Sequence, residues 1–246
     1  MITIALCGSP TWAEAAADAV RTAGASPSIH ADLSGYIARL ADQYTALIVV
    51  EGESPGWSAW VAAAKTSPAT RRIPVVVVTA DAAQAESAIQ NGADRVVTPD
   101  ALPGVIGTLA RTPPSEAASA LAAQCADPLP PQAIEAIERF NAGAYYAQHD
   151  LFEALWMDDP RPVRDLYRAI LQVGIAYYQI ERGNGRGALK MLLRSVQWLA
   201  LLPDVCQGVD IAGLRADAAA VRAELERVGD DLAAFDRSLL KPVRRV

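Results

Sequence analysis

Two uninterrupted apolar runs, Ala46–Val50 and the four valines Val75–Val78, constrain the first hundred residues more than any other feature. A strand with one wet face alternates apolar and polar side chains. A run without alternation, rich in β-branched residues, needs cover on both faces. The interior of a parallel sheet flanked by helices provides that cover. Ile2–Leu6 and Arg95–Thr98 are two further short runs. Helical patterns fall between, over Trp12–Ala23, Ser34–Ala41, Trp57–Lys65, Ala82–Asn91 and Leu102–Ala110, with Ser9-Pro10 expected to open the first and Pro at its first helical position. The alternation predicts a doubly wound α/β domain with a parallel five-stranded sheet over residues 1–110.

The pattern stops at Arg111. Residues 111–131 hold Pro113, Pro114, Pro128, Pro130 and Pro131 around an alanine-rich middle, and read as a linker with a short helix over 115–124. Beyond it the period changes. Ile134, Ile137 and Phe140 have helical spacing, as do Leu166, Ile170, Val173, Tyr177 and Ile180, then Leu189, Leu192, Val196 and Leu199. Asp210 is placed to cap a last helix, Ile211–Val228. An all-α bundle over 132–246 is expected.

Charge and cysteine usage exclude several functions. The net charge is −6; residues 1–110 carry 6 basic and 10 acidic side chains, the remainder 16 and 18. Neither half has the positive balance of a nucleic-acid binder, and the basic tail Lys241, Arg244, Arg245 reads as solvated. Cys7, Cys125 and Cys206 are few, odd in number and far apart, which predicts neither a disulfide framework nor a zinc cluster. No apolar run reaches the ~18 residues of a membrane helix, and no signal-like segment opens the chain. A cytoplasmic protein without membrane or nucleic-acid partners is expected.

The first 110 residues resemble the receiver domains of bacterial response regulators. Val75–Thr79 followed by Ala80 looks like the fourth strand with its switch threonine, Asn91-Gly92-Ala93-Asp94 like the turn into the fifth, and Leu47–Val50 then Glu51 like the third strand ending at the phosphorylation position. The resemblance implies Mg²⁺ held by an acidic pair after the first strand and an aspartate after the third. Here Cys7-Gly8-Ser9-Pro10 follows the first strand, Glu51 replaces the aspartate, and Thr98-Pro99 stands where a lysine would precede proline. Of that machinery Thr79 remains, so a phosphorylation-incompetent pseudo-receiver is expected. Glu51 is either a standing mimic of the phosphoryl group or a polar loop residue beside Gly52.

In the second half, Phe140-Asn141, Gly143, Tyr145-Tyr146, His149-Asp150, Glu153 and Trp156 mix rings, a histidine and carboxylates in one segment. His149 and Glu153 are four residues apart, share a helix face, and form a candidate divalent-metal pair if Glu135, Glu138, Glu181 or Asp210 adds a ligand. Tyr145, His149, Phe152 and Trp156 also follow core spacing, with His149 then bonded to Glu153 or Asn141. Arg182 and Asp210 are a candidate interhelical ion pair. Together with Gln172, Arg182-Gly183-Asn184, Gly187-Ala188 and Gly208-Val209-Asp210, the segment resembles domain-of-unknown-function family 309, over about residues 132–226. That resemblance implies a small helical bundle, for which a metal-dependent hydrolase activity has been suggested. This chain departs from it with Asp150 where glutamate is usual and Gln179 in place of a histidine.

Three functions follow as expectations. The first is a non-enzymatic regulatory or scaffolding protein, homodimeric or bound to a protein partner, without cofactor, in bacterial signal transduction. The second is a metal-dependent hydrolase centred on His149 and Glu153, with Asn141, Tyr145, Asp150 and Trp156 around them. The third is a small-molecule binding module lined by Tyr145, Tyr146, Tyr177, Tyr178 and Trp156.

Overall fold

Five parallel strands, β1 (Ile2–Cys7), β2 (Ser26–His30), β3 (Tyr44–Glu51), β4 (Val75–Val78) and β5 (Arg95–Val97), lie in the order β2-β1-β3-β4-β5. The structure is a computed structural model that describes residues 2–8 and 10–246. The chain divides into two compact units, one up to Thr112 and one from Pro113 onward.

The apolar runs behave as two-faced strands. Leu47, Val49, Val76 and Val78 pack under α1 (Ala13–Thr22) and α5 (Leu102–Leu109). Ile48, Val50, Val75 and Val77 pack on the opposite face, under α2 (Tyr36–Ala41), α3 (Trp57–Thr66) and α4 (Ala82–Gln90). Successive side chains of a strand point to opposite faces, so each run feeds both layers. The strand that no apolar run marks is β2. It sits at the sheet edge, where one side of its backbone has no neighbour and Pro27 is tolerated. Helix α1 starts later than Ser9-Pro10 predicts. The Ala13 N–H reaches the Pro10 carbonyl (3.3 Å) in a turn that buries Trp12; Ser9 lies outside the described residues.

The second unit contains α6 (Ser115–Cys125), α7 (Pro131–Asn141), α8 (Ala147–Asp158), α9 (Arg164–Glu181), α10 (Gly185–Leu199) and α11 (Ile211–Val228), with a two-residue hairpin of β6 (Val205–Cys206) and β7 (Val209–Asp210) before α11. Helices α7 and α9 both end by the same device. Gly143 and Gly183 take φ of +77° and +74°, and the next residue donates back, Ala144 to Arg139 (2.9 Å) and Asn184 to Gln179 (2.8 Å). Asn184 then caps α10 through the Gly187 N–H (2.9 Å).

Residues 111–131 do more than connect. The last turn of α6 is fixed to this unit: Gln124 Oε1 accepts from the Val163 N–H (3.0 Å), and the Cys125 carbonyl from the Gln207 N–H (2.7 Å). Cys125 and Cys206 form a disulfide across a sequence separation of 81. Cysteine spacing predicts no such bond. The pairing is made by the hairpin, whose turn residues Gln207 and Gly208 both take positive φ and fold Cys206 back to within 4.3 Å, Cα to Cα, of Cys125.

Helix α9 is the centre of the second core, with Leu166, Tyr167, Ile170, Val173, Tyr177 and Ile180 among its buried residues. Gly174 is buried with them, and a Cβ there would come within 2.5 Å of Gln148 Nε2 and 3.1 Å of Phe140. The missing side chain is thus what seats the Gln148 amide between α8 and α9. Gly174→Ala gains helix propensity of about 1 kcal/mol but must displace a hydrogen-bonded amide and an aromatic ring. A net loss of about 1–3 kcal/mol is expected by urea denaturation.

Candidate functional site

Helix α8 begins at Ala147, so Tyr145 precedes it and does not set its phase. Of the expected stripe, Phe152 is buried and Tyr145 and Trp156 pack partly against the core, but Gln148 rather than His149 is the buried residue one turn before Phe152. Gln148 takes a core place because its Nε2 donates to the carbonyls of Tyr145 (2.9 Å) and Leu171 (3.4 Å). His149 is thereby turned outward. Its Nδ1 lies 3.2 Å from Asp150 Oδ1, a carboxylate whose side chain is 78% exposed. Neither Glu153 nor Asn141 is the histidine's hydrogen-bond partner. Among the described residues no group of three His, Cys, Asp or Glu side chains is placed to hold a metal ion. Of the proposed third ligands, Glu135 is paired with Arg139 and Asp210 with Arg244 (3.1 Å).

The rings that sequence places together fall into three separate groups. Tyr145 and Tyr177 pack edge-on at 5.4 Å, each also against Phe140. Burial raises both phenols above their ordinary range, with the nearby carboxylates Glu181 and Asp217 adding to it. Trp156 lies under the guanidinium of Arg168, which is 4.5 Å from that ring and 3.7 Å from Trp198. The third group is on the surface. Tyr146, 56% exposed, lies parallel to the His149 ring (5.9 Å) and tilted on Tyr178 (5.1 Å). Arg182 donates to the Tyr178 hydroxyl (3.0 Å). Sequence pairs Arg182 with Asp210; the structure gives it a tyrosine on its own helix, one turn back.

Asn141 acts at a distance of 102 residues. Its Nδ2 donates to the Val243 carbonyl (2.9 Å) and its Oδ1 accepts from the Val243 N–H (2.8 Å). The tail beyond continues as a bridge between Val209 and Arg245, and Arg244 pairs with Asp210 and with Asp217 (3.0 Å). The basic tail is therefore clasped through its backbone and Arg244, while Lys241, Arg244 and Arg245 stay exposed. An amide side chain carries a donor and an acceptor side by side and so satisfies the N–H and C=O of one residue together, a signal legible only once the partner segment is known.

In the α/β unit, Glu51, Glu53 and Thr79 meet at the C-terminal ends of β3 and β4. Glu51 is buried, and its carboxylate accepts from the Glu53 N–H (3.4 Å). Gly8 backs against it, since a Cβ there would come within 3.1 Å of Glu51 Cβ and 2.8 Å of Ser54 Oγ. Thr79 Oγ1 lies 2.8 Å from Glu53 Oε1 and 3.0 Å from the Gln84 side-chain oxygen, and accepts from the Asp81 N–H (3.1 Å). One hydroxyl proton serves one acceptor. The Glu53 carboxylate takes it, and the Gln84 amide satisfies the hydroxyl by turning its NH₂ inward. Thr98 is exposed and precedes the 3₁₀ turn Pro99–Ala101 rather than joining this group. Cys7 donates to Tyr36 (3.7 Å), and burial pushes its thiol up to about 12.

These parts define a class: a parallel five-stranded α/β unit of flavodoxin-like order joined to a helical unit. Within the helical unit, residues 133–191 match the model of a domain of unknown function (DUF309). The match runs from α7 into α10 and contains Asn141, Tyr145, His149, Asp150, Glu153 and Trp156. Gly208-Val209-Asp210 lies beyond it. No curated protein matches the chain. No helix among the described residues is long and apolar enough to cross a membrane.

Asn141→Ala is expected to cost about 1–3 kcal/mol for its two hydrogen bonds and to abolish hydrogen-exchange protection of the Val243 amide. Burial, opposed by the Glu53 N–H, raises the Glu51 carboxyl above its ordinary range. The folded chain then holds that proton more tightly than the unfolded chain. Stability falls as pH rises from the ordinary carboxylate value through the raised one, and stays lower above it. Glu51→Gln is expected to raise the denaturation midpoint at neutral pH and to converge with wild type below about pH 4.

Proposed function

We propose that this protein is a non-enzymatic regulatory or scaffolding component of bacterial signal transduction: a pseudo-receiver coupled to a helical interaction domain. The observation that carries the reading is the hydrogen bond from Thr79 to Glu53. In a receiver, the corresponding threonine responds to a phosphoryl group on the third strand's aspartate. Here an internal carboxylate already holds the hydroxyl, Glu51 stands at the acceptor position, and Cys7-Gly8-Ser9-Pro10 follows the first strand without a carboxylate. Such an arrangement supports one standing conformation rather than a phosphorylation switch.

The outward face of α8 and α9 supports the interaction role. Tyr146, Tyr178, His149 and Arg182 form a partly exposed ladder of rings and one guanidinium, residue types that anchor protein interfaces. The occupant proposed is a second copy of the chain or a protein partner. Incubation with acetyl phosphate and Mg²⁺ is expected to leave the intact mass unchanged. Sedimentation velocity is expected to show self-association that Tyr146→Glu with Arg182→Glu weakens by roughly ten-fold, about 1.4 kcal/mol, without loss of helical circular dichroism. A phosphoryl adduct would sink the pseudo-receiver half of the proposal. Association unchanged in the variant would sink the assignment of that face.

A further inference from the structure

We propose that Cys125 and Cys206 are a reversible thiol–disulfide pair that fastens α6 to the β6–β7 hairpin, and that a dithiol reductant reaches it by lifting α6 rather than by unfolding the helical unit. The bond encloses α7 to α10, and with them the whole matched DUF309 segment. Yet one partner is held by very little. Cys125 is the buried residue of α6, and Ala118, Ser119, Ala122 and Ala123 of that helix are exposed. Apart from the disulfide and Leu121, which packs partly buried against the core, the end of α6 is held by Val163 N–H on Gln124 Oε1 (3.0 Å), Gln207 N–H on the Cys125 carbonyl (2.7 Å) and Gln207 Nε2 on the Gln124 carbonyl (3.5 Å).

The other partner is anchored firmly. Cys206 is fully buried, and its neighbour Gln207 accepts from the Tyr167 hydroxyl (3.0 Å) on α9. Cys125 closes α6, an 11-residue helix whose apolar contacts to the core are that cysteine's side chain and Leu121. Elements of that kind open locally at far lower free energy than the core. Most of the core residues lie on α9 and its neighbours, while α6 contributes Cys125 and the partly buried Leu121.

The chemistry balances with a named co-reactant. A thiolate of the dithiol attacks one sulfur, the S–S bond breaks, and a mixed disulfide forms with the displaced cysteine leaving as thiolate. The second thiol of the reductant then displaces the remaining cysteine and closes a cyclic disulfide. Two electrons pass from the dithiol, and both cysteines take up protons. A small-molecule disulfide runs the exchange in reverse. Cys7 lies in the other unit with its thiol buried and protonated, so native alkylation distinguishes it from the pair.

The test uses the full chain, oxidised with glutathione disulfide, then held in dithiothreitol under native conditions and pulse-alkylated with iodoacetamide. Intact mass is expected to show two adducts appearing together, well before a third and before any change in circular dichroism. Gln124→Ala is expected to speed their appearance by roughly 2- to 12-fold, as loss of one hydrogen bond predicts. Hydrogen exchange should quicken on reduction in α6 and the hairpin but not in α9. In Cys125→Ser with Cys206→Ser, exchange in α6 should not respond to dithiothreitol. Three alkylable thiols in the oxidised, denatured chain would overturn the pair. Adducts that appear only with loss of helical signal, or α6 exchange indifferent to reduction in wild type, would overturn the lifting mechanism.

Discussion

Burial of α9 on most of its circumference is the constraint from which the helical unit takes its form. A helix wetted on one side can rotate to suit its neighbours; one enclosed by α8, α10 and the hairpin cannot. Its phase fixes Gly174 opposite α8, and Gly174 admits an amide where a larger residue would admit nothing. Gln148 then occupies the core position, and every other side chain of α8 is turned with it. His149 is outward because Gln148 is inward. The surface chemistry of this segment is thus a remainder, set by what the core accepts first.

The α/β unit was legible because its signal is strong and local. Unbroken runs such as Val75–Val78 fit little besides a strand covered on both faces, and β1, β3, β4 and β5 follow from them. The edge strand β2 was not legible, since two of its five residues, Pro27 and Ile29, are exposed and Pro27 argues against a strand in the absence of edge context. In the helical unit, helices and their glycine ends could be read, but the phase of α8 could not. Tyr145, His149, Phe152 and Trp156 have regular spacing on a helix that includes Tyr145; the helix begins two residues later, and Phe152 keeps its core place while Gln148 takes the one read for His149.

Long-range pairings escaped for a different reason. Asn141 with Val243, Cys125 with Cys206, and Arg244 with Asp210 and Asp217 join residues whose separation carries no periodic trace. Each looks ordinary alone: an asparagine near a turn, isolated cysteines, a basic tail. Their roles exist only as pairs. The candidate cluster suffered the opposite error, because proximity along one segment suggested proximity in space. Rings a few residues apart on a helix face in different directions, and Tyr145, Tyr146 and Trp156 end in a core, on a surface and under an arginine.

The clasp between Asn141 and the last residues also orders events in time. Every strand of the α/β unit has been synthesised once Val97 is added, so that sheet can close while synthesis continues. The helical unit has no such freedom. Asn141 emerges early and keeps its amide on water until Val243 arrives, about a hundred residues later. For those seconds α7 is a helix without its final partner, and the unit's completion is tied to the end of this stretch of chain rather than to the assembly of its helices.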